Sequence, residues 1–193
     1  MKGLTTINSI SVVLLCFGMF LLVNSYLGPS ITGMVTGTTT VLVTNVTTIT
    51  MINSTVAFGS LALSQSNNTN CTTPTIACPG PFELRNDGNI PLNITISATN
   101  LWTSPGNGNP TNNYQSRCGN TTEWTGCNST ASSNTSYSGI PSVASTIISC
   151  LPWNDSYDQA AVNILITVPA SESGGTKSST VTFTAADGGV TCT

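Results

Sequence analysis

Apolar and polar positions alternate with a period of two through most of this chain, the spacing of half-buried strands. The clearest case is "NIPLNITISATN", where Ile90, Leu92, Ile94, Ile96 and Ala98 alternate with polar residues. Thr38–Ile52, "TTTVLVTNVTTITMI", is a long Thr/Val segment of high strand propensity. Val56–Leu63 is a second run, and Phe82–Arg85 and Ile90–Ala98 flank "NDGN", a tight-turn signal. Val143–Cys150 and Ala160–Val168 read as strands, and "SESGG" turns into Ser178–Ala185. Thr103–Ile140 reads as a long loop dense in Pro, Gly, Asn and Ser. No helical periodicity of useful length follows residue 27. About seven short strands joined by turns predict an all-β chain, a β-sandwich of immunoglobulin-like or jelly-roll type behind an N-terminal hydrophobic segment. The expected interior is Val56, Phe58, Leu61, Leu84, Leu92, Ile94, Ile96, Ile164, Ile166, Val181 and Phe183.

The N-terminus breaks this pattern. Lys2 precedes Ile10–Val23, an apolar run of 14 residues, which is a signal-peptide length and short of the ~20 residues of a bilayer span. Residues 1–25 therefore read as a signal peptide cut near Val23–Ser25 or as a retained anchor. In the second case the chain touches the membrane only through residues 10–27. A third reading makes Met1–Gly3 a prepilin leader with a helix from Leu4, although Gly28 and Pro29 would end that helix early. Residues 26–37 form a glycine-containing lead-in, and residues 38–193 the sandwich domain.

Composition sharpens the exported reading. Of 193 residues only 6% are charged, against ~25% in ordinary soluble domains. The cations Lys2, Arg85, Arg117 and Lys177 are too few and too scattered to track a phosphate backbone, so no nucleic acid is expected. Cys16 lies in the apolar run; Cys71, Cys78, Cys118, Cys127, Cys150 and Cys192 make an even set, read as three disulfides. The favoured pairing is Cys71–Cys78, Cys118–Cys127 and Cys150–Cys192, since the first two pairs each bracket a short turn-rich loop. Without His or C-x-x-C, no zinc or other metal is expected. Asn-x-Ser/Thr acceptors stand at Asn45, Asn53, Asn67, Asn70, Asn93, Asn120, Asn128, Asn134 and Asn154. Covalent N-glycans there would replace charge as the solubilising coat.

Catalytic chemistry finds little footing. The acids Glu83, Asp87, Glu123, Asp155, Asp158, Glu172 and Asp187 have no His beside them, and no Ser stands in a G-x-S-x-G elbow. "WNDSYD", Trp153–Asp158, lacks the ligand count and spacing of a calcium loop. No enzyme activity and no cofactor are expected.

"STVAFGSLAL", "FELRNDGNIPLNITISATNLW" and "ILITVPASESGGTKSSTVTFTA" together resemble the archaeal exported β-sandwich subunits of TasA-like matrix fibres and bundling pili, and more loosely immunoglobulin-like surface domains. The resemblance spans about residues 38–190 and is one of pattern. It implies an extracellular homopolymer in which each subunit donates an N-terminal strand to its neighbour. The residues also support donation directly. Gly28, Gly33 and Gly37 lead into an uncharged, proline-free segment that would be an aggregation hazard as a free edge. Inserted into a neighbour's sheet it becomes an assembly device, with Val41, Val43 and then Val46 or Ile49 as the buried side chains. The competing reading makes Thr38–Ile52 the domain's own first strand. A membrane-anchored, glycosylated adhesion domain and a type IV pilin-like subunit are the alternative functions, all at the cell surface or outside the cell.

Overall fold

The computed structural model describes residues 40–70, 78–122, 127 and 133–189. The chain divides into two compact units, Met1–Leu42 and Val43–Thr193. The leader readings of residues 1–25 and the lead-in of residues 26–37 lie outside the described residues.

The second unit is all-β, two antiparallel sheets packed face to face as a β-sandwich. Its strands are β1 (Ile49–Asn53), β2 (Ser66–Asn68), β3 (Phe82–Asn86), β4 (Leu92–Ala98), β5 (Tyr114–Gly119), β6 (Ser138–Gly139), β7 (Ser145–Leu151), β8 (Gln159–Thr167) and β9 (Val181–Asp187). The larger sheet runs β1-β3-β8-β5-β6, with β2 also paired to β8; the smaller runs β7-β4-β9. β4 shows why the alternation folds this way. Leu92, Ile94, Ile96 and Ala98 are buried while Asn93, Thr95 and Ser97 face outward. Facing them are Leu84 of β3 and Val162, Ile164 and Ile166 of β8, with Ile147, Ile148 and Leu151 from β7. Fully burying each such side chain is worth ~1.5–3 kcal/mol.

Where alternation fails along β7, the backbone supplies the reason. The register between β4 and β7 shifts twice, and Cys150 takes a positive φ of 60°, costly for a non-glycine residue. This bulge lets Ile147 and Ile148 both turn inward. The Cys150 amide donates to Asn93 Oδ1 at 3.1 Å.

Several expected elements differ. The strand expected over Thr38–Ile52 begins only at Ile49; residues 40–48 are not strand. The Val56–Leu63 run is irregular, turned aside at Gly59 (φ 68°) and Ser64 (φ 64°), although Val56, Phe58 and Leu61 still pack half-buried on the core. The Thr103–Ile140 segment is not one loop. It contains β5, which pairs with β8 from Tyr114↔Ile166 to Gly119↔Ala161. The strands flanking "NDGN" lie in different sheets, so the chain crosses the sandwich there instead of forming a hairpin.

Asn86 governs that crossing. It is 1% exposed. Its Nδ2 donates to the carbonyls of Ile90 (2.9 Å), Leu151 (3.1 Å) and Pro152 (2.9 Å), and its Oδ1 accepts from the Gly88 amide at 2.9 Å. One side chain thus ties the end of β3 to the turn and to the end of β7. Asn86→Ala leaves buried carbonyls without a donor, at ~1–3 kcal/mol for each such group. We expect that variant to lose about 3 kcal/mol or more in urea denaturation. Asn89→Ala, whose amide lies on the outside of the same turn, should lose less than half as much.

Candidate functional site

The two edges of the smaller sheet are unlike. β7 is broken by its bulge, whereas β9 pairs with β4 without interruption from Leu92↔Asp187 to Ala98↔Val181. Among the described residues β9 pairs with no other strand. Its inward side chains Val181, Phe183 and Ala185 stay half-buried, although the inward positions of the adjoining β4 are at most 7% exposed. Phe183 meets Phe82 of β3 edge-to-face at 5.6 Å, so β9 faces the β1–β3 side of the larger sheet. There Ile49 and Met51 of β1 are likewise only half-buried. Among the described residues the sandwich is therefore open along this side: a regular strand edge with unused backbone groups above a row of partly covered apolar side chains.

The strand-donation candidates separate into two pairs. Val41 is 75% exposed and Val43 72% exposed, with Leu42 between them at 89%, and none is in a strand. Val46 and Ile49 are engaged within their own chain. The Val46 amide donates to Asn89 Oδ1 at 2.7 Å and its carbonyl accepts from the Asn89 amide at 3.2 Å. Asn89 Nδ2 reaches the Thr44 carbonyl at 2.9 Å, and the Asp87 amide the Thr48 carbonyl at 3.0 Å. A Cβ on Gly88 would collide with the Val46 carbonyl oxygen, so glycine is what lets Thr44–Thr48 lie against the turn. Ile49 then pairs with Asn86 in β1.

Cys118 and Cys127 form a disulfide, with Cα atoms 5.7 Å apart. Cys78 and Cys150 are also disulfide-bonded; Cys71 and Cys192 lie outside the described residues. Disulfides of this kind persist in oxidising compartments. Cys16 also lies outside the described residues.

The sequon asparagines differ in what holds them. Asn67 is 8% exposed, which leaves a glycan little room on the folded domain. The Nδ2 atoms of Asn53 and Asn134, where a sugar would attach, donate to the Pro81 carbonyl and to Ser138 Oγ, both at 2.5 Å. Asn93 Oδ1 holds the Cys150 amide, and Asn154 Oδ1 the Ser156 amide at 3.2 Å. Asn45, Asn70 and Asn120 are exposed, and Asn128 lies outside the described residues. Asn120 also lines a cleft of about 430 Å³, shared with Pro81, Glu83, Thr121, Thr122, Gln159 and Ala161.

Charged groups are used structurally where the geometry is visible. Glu172, 6% exposed, accepts from the Thr103 and Ser104 amides at 3.1 and 2.9 Å, from Thr103 Oγ1 at 2.5 Å and from Lys177 Nζ at 2.5 Å. It clamps the start of the 103–113 loop to the turn before β9. Lys177, and after it Thr103, hold this carboxyl well below its ordinary value of 4.5. Arg85 and Asp87 pair at 2.6 Å on the surface. Asp158 is 6% exposed and its Oδ1 has no hydrogen-bond partner among the described residues; burial raises its carboxyl, against the pull of Arg85. Arg117 lies 4.6 Å from the Tyr137 ring centroid, a cation–π contact. Among the described residues no three His, Cys, Asp or Glu side chains are grouped to hold a metal ion, and no helix is long and apolar enough to cross a membrane. The apolar residues 10–27 lie outside that description.

No family model, no curated protein and no solved structure matches this chain.

The turn "SESGG" gave no hint that its glutamate was a buried clamp, because the Thr103 and Ser104 groups it binds lie about seventy positions away, and Lys177 alone is near in sequence. Since the folded-state value of Glu172 lies below the ordinary one, its contribution is complete above pH ~4.5 and is lost as pH falls toward the folded-state value. Glu172→Gln should therefore unfold at lower urea than the parent at pH 7. The gap between the two should close progressively as the pH is taken below 4.5.

Proposed function

We propose that this protein is a structural subunit of an extracellular filament or cell-surface matrix. Residues 38–43 of one copy lie along β9 of the next. The observation that carries this reading is the open side of the sandwich at β9, with Val181, Phe183 and Ala185 half-covered. An uncharged segment of the same chain, Val41–Val43, is exposed and outside any strand. A strand added at β9 would pair the free backbone groups and cover those side chains at once. Donor and acceptor are different surfaces, so the contact is head-to-tail, and it propagates as a filament where the rotation between copies does not close a ring. The disulfides, the sequons and the low charge fit export, with glycans as the coat. A membrane-anchored surface domain is the outcome to which the reading yields if assembly fails.

Donation is confined to residues before Thr44, because Thr44–Thr48 and β1 are built into the domain. Deleting residues 30–43 should thus leave a monomer with an unchanged urea midpoint that no longer polymerises. The mature chain should form polymers in light scattering and negative-stain microscopy. Val41→Asp with Val43→Asp should behave like the deletion, since two charges cannot enter the apolar row without large desolvation cost. A mature chain that stays monomeric at high concentration, or a deletion variant that still polymerises, overturns the proposal.

A further inference from the structure

The sequon asparagines offer nine equivalent matches in sequence, and the structure separates them. Asn53, Asn93, Asn134 and Asn154 spend side-chain atoms on hydrogen bonds inside the domain, and Asn67 is buried. Asn45, Asn70 and Asn120 remain exposed, with no hydrogen bond to the side chain among the described residues. Of these three, Asn120 lines a cleft of about 430 Å³, within the ~300–1,000 Å³ range of small-molecule sites.

The sequon is held rigidly beside this cleft. Cys118, two positions before Asn120, is bonded to Cys127. Gly119 pairs with Ala161 at the end of β5. Thr121 Oγ1 donates to the Gln159 carbonyl at 3.0 Å, while Thr122 remains exposed for a glycosyltransferase. The opposite wall suits a saccharide. The Glu83 carboxylate accepts hydrogen bonds from sugar hydroxyls or an acetamido N–H, and the Gln159 amide both donates and accepts. The Pro81 ring and the Ala161 methyl give an apolar patch for the C–H face of a pyranose.

We propose that Asn120 is a glycosylation site whose first, Asn-linked sugar seats in the cleft against Glu83 and Gln159. The glycan is there a packed part of the domain, in contrast to those at Asn45 and Asn70, which stand in solvent. The Asn120 Nδ2 attacks the anomeric carbon of a lipid-linked oligosaccharide; the C1–O bond to the carrier phosphate breaks as the N–glycosidic bond forms, the carrier leaves as its phosphate, and one amide proton passes to the transferase. The proposal rests on the export part of the reading above and not on strand donation.

The test uses the full chain secreted from a eukaryotic host that attaches N-acetylglucosamine-linked glycans. Site occupancy is read by glycopeptide mass spectrometry, and glycan release by an amidase is followed on the folded and on the denatured protein. Asn120 should be occupied. On the folded protein its glycan should be released more slowly than those at Asn45 and Asn70, and denaturation should abolish the difference. Glu83→Ala should speed release at Asn120 alone, with a circular dichroism spectrum like the parent's. Asn120→Gln should lower Tm by several degrees, and Asn45→Gln should not. An empty Asn120 beside an occupied Asn45 or Asn70 overturns the site, and equal release rates on the folded protein overturn the seat. A secreted chain with no glycan at any sequon overturns the glycosylated-coat reading and this proposal with it, a result distinct from either of the others.

Discussion

A single buried asparagine sets the geometry on which the assembly reading depends. Asn86 must satisfy carbonyls from the β3–β4 turn and from the end of β7, and it fixes where the chain crosses from one sheet to the other. The turn it shapes presents Asp87 and Asn89 outward, and these capture the backbone of Thr44–Thr48. That capture delivers Ile49 opposite Asn86 and starts β1 in register. The N-terminal segment consequently leaves the domain at Val43. A buried polar network of this kind is costly if only partly satisfied, and when complete it selects one arrangement.

The two sheets are also unequal. The larger sheet gathers six strands and the smaller three. Three strands do not fully cover the apolar face of six, and the shortfall falls at β9. Natural proteins blunt free edges with charge, proline or a bulge. β7 carries a bulge. β9 has Asp187 as its one charge, at its last residue, and its register is unbroken. An edge left this regular beside half-covered side chains is the feature on which the assembly proposal rests. The cleft beside Asn120 lies elsewhere, past the end of β5, where Thr121 bonds the Gln159 carbonyl at the start of β8.

Sequence patterning revealed the sandwich because its core strands alternate cleanly. Leu92, Ile94 and Ile96 are read at once, as are Ile164 and Ile166. β5 escaped because its inward residues include Ser116, and polar residues surround it; only pairing with β8 on one side makes it central. The Thr38–Ile52 segment misled in the other direction. Its propensity is uniform, yet the side-chain amide of Asn89 holds Thr44–Thr48 out of the sheet. Local preference carries no information about a partner forty residues away. For the same reason sequence counts nine sequons without ranking them, since accessibility depends on what each amide meets in the fold.

The most direct test of the open-edge account is amide hydrogen exchange along β9, read residue by residue in the monomer and in the assembled protein. In the monomer the β9 amides not bonded to β4 should exchange rapidly. In the assembly those of Val181, Phe183, Ala185 and Asp187 should become strongly protected together with Val41–Val43 of the partner copy, while β6 and β7 edge amides stay as they were. Equal exchange of β9 in both states, with new protection appearing elsewhere, would contradict the account.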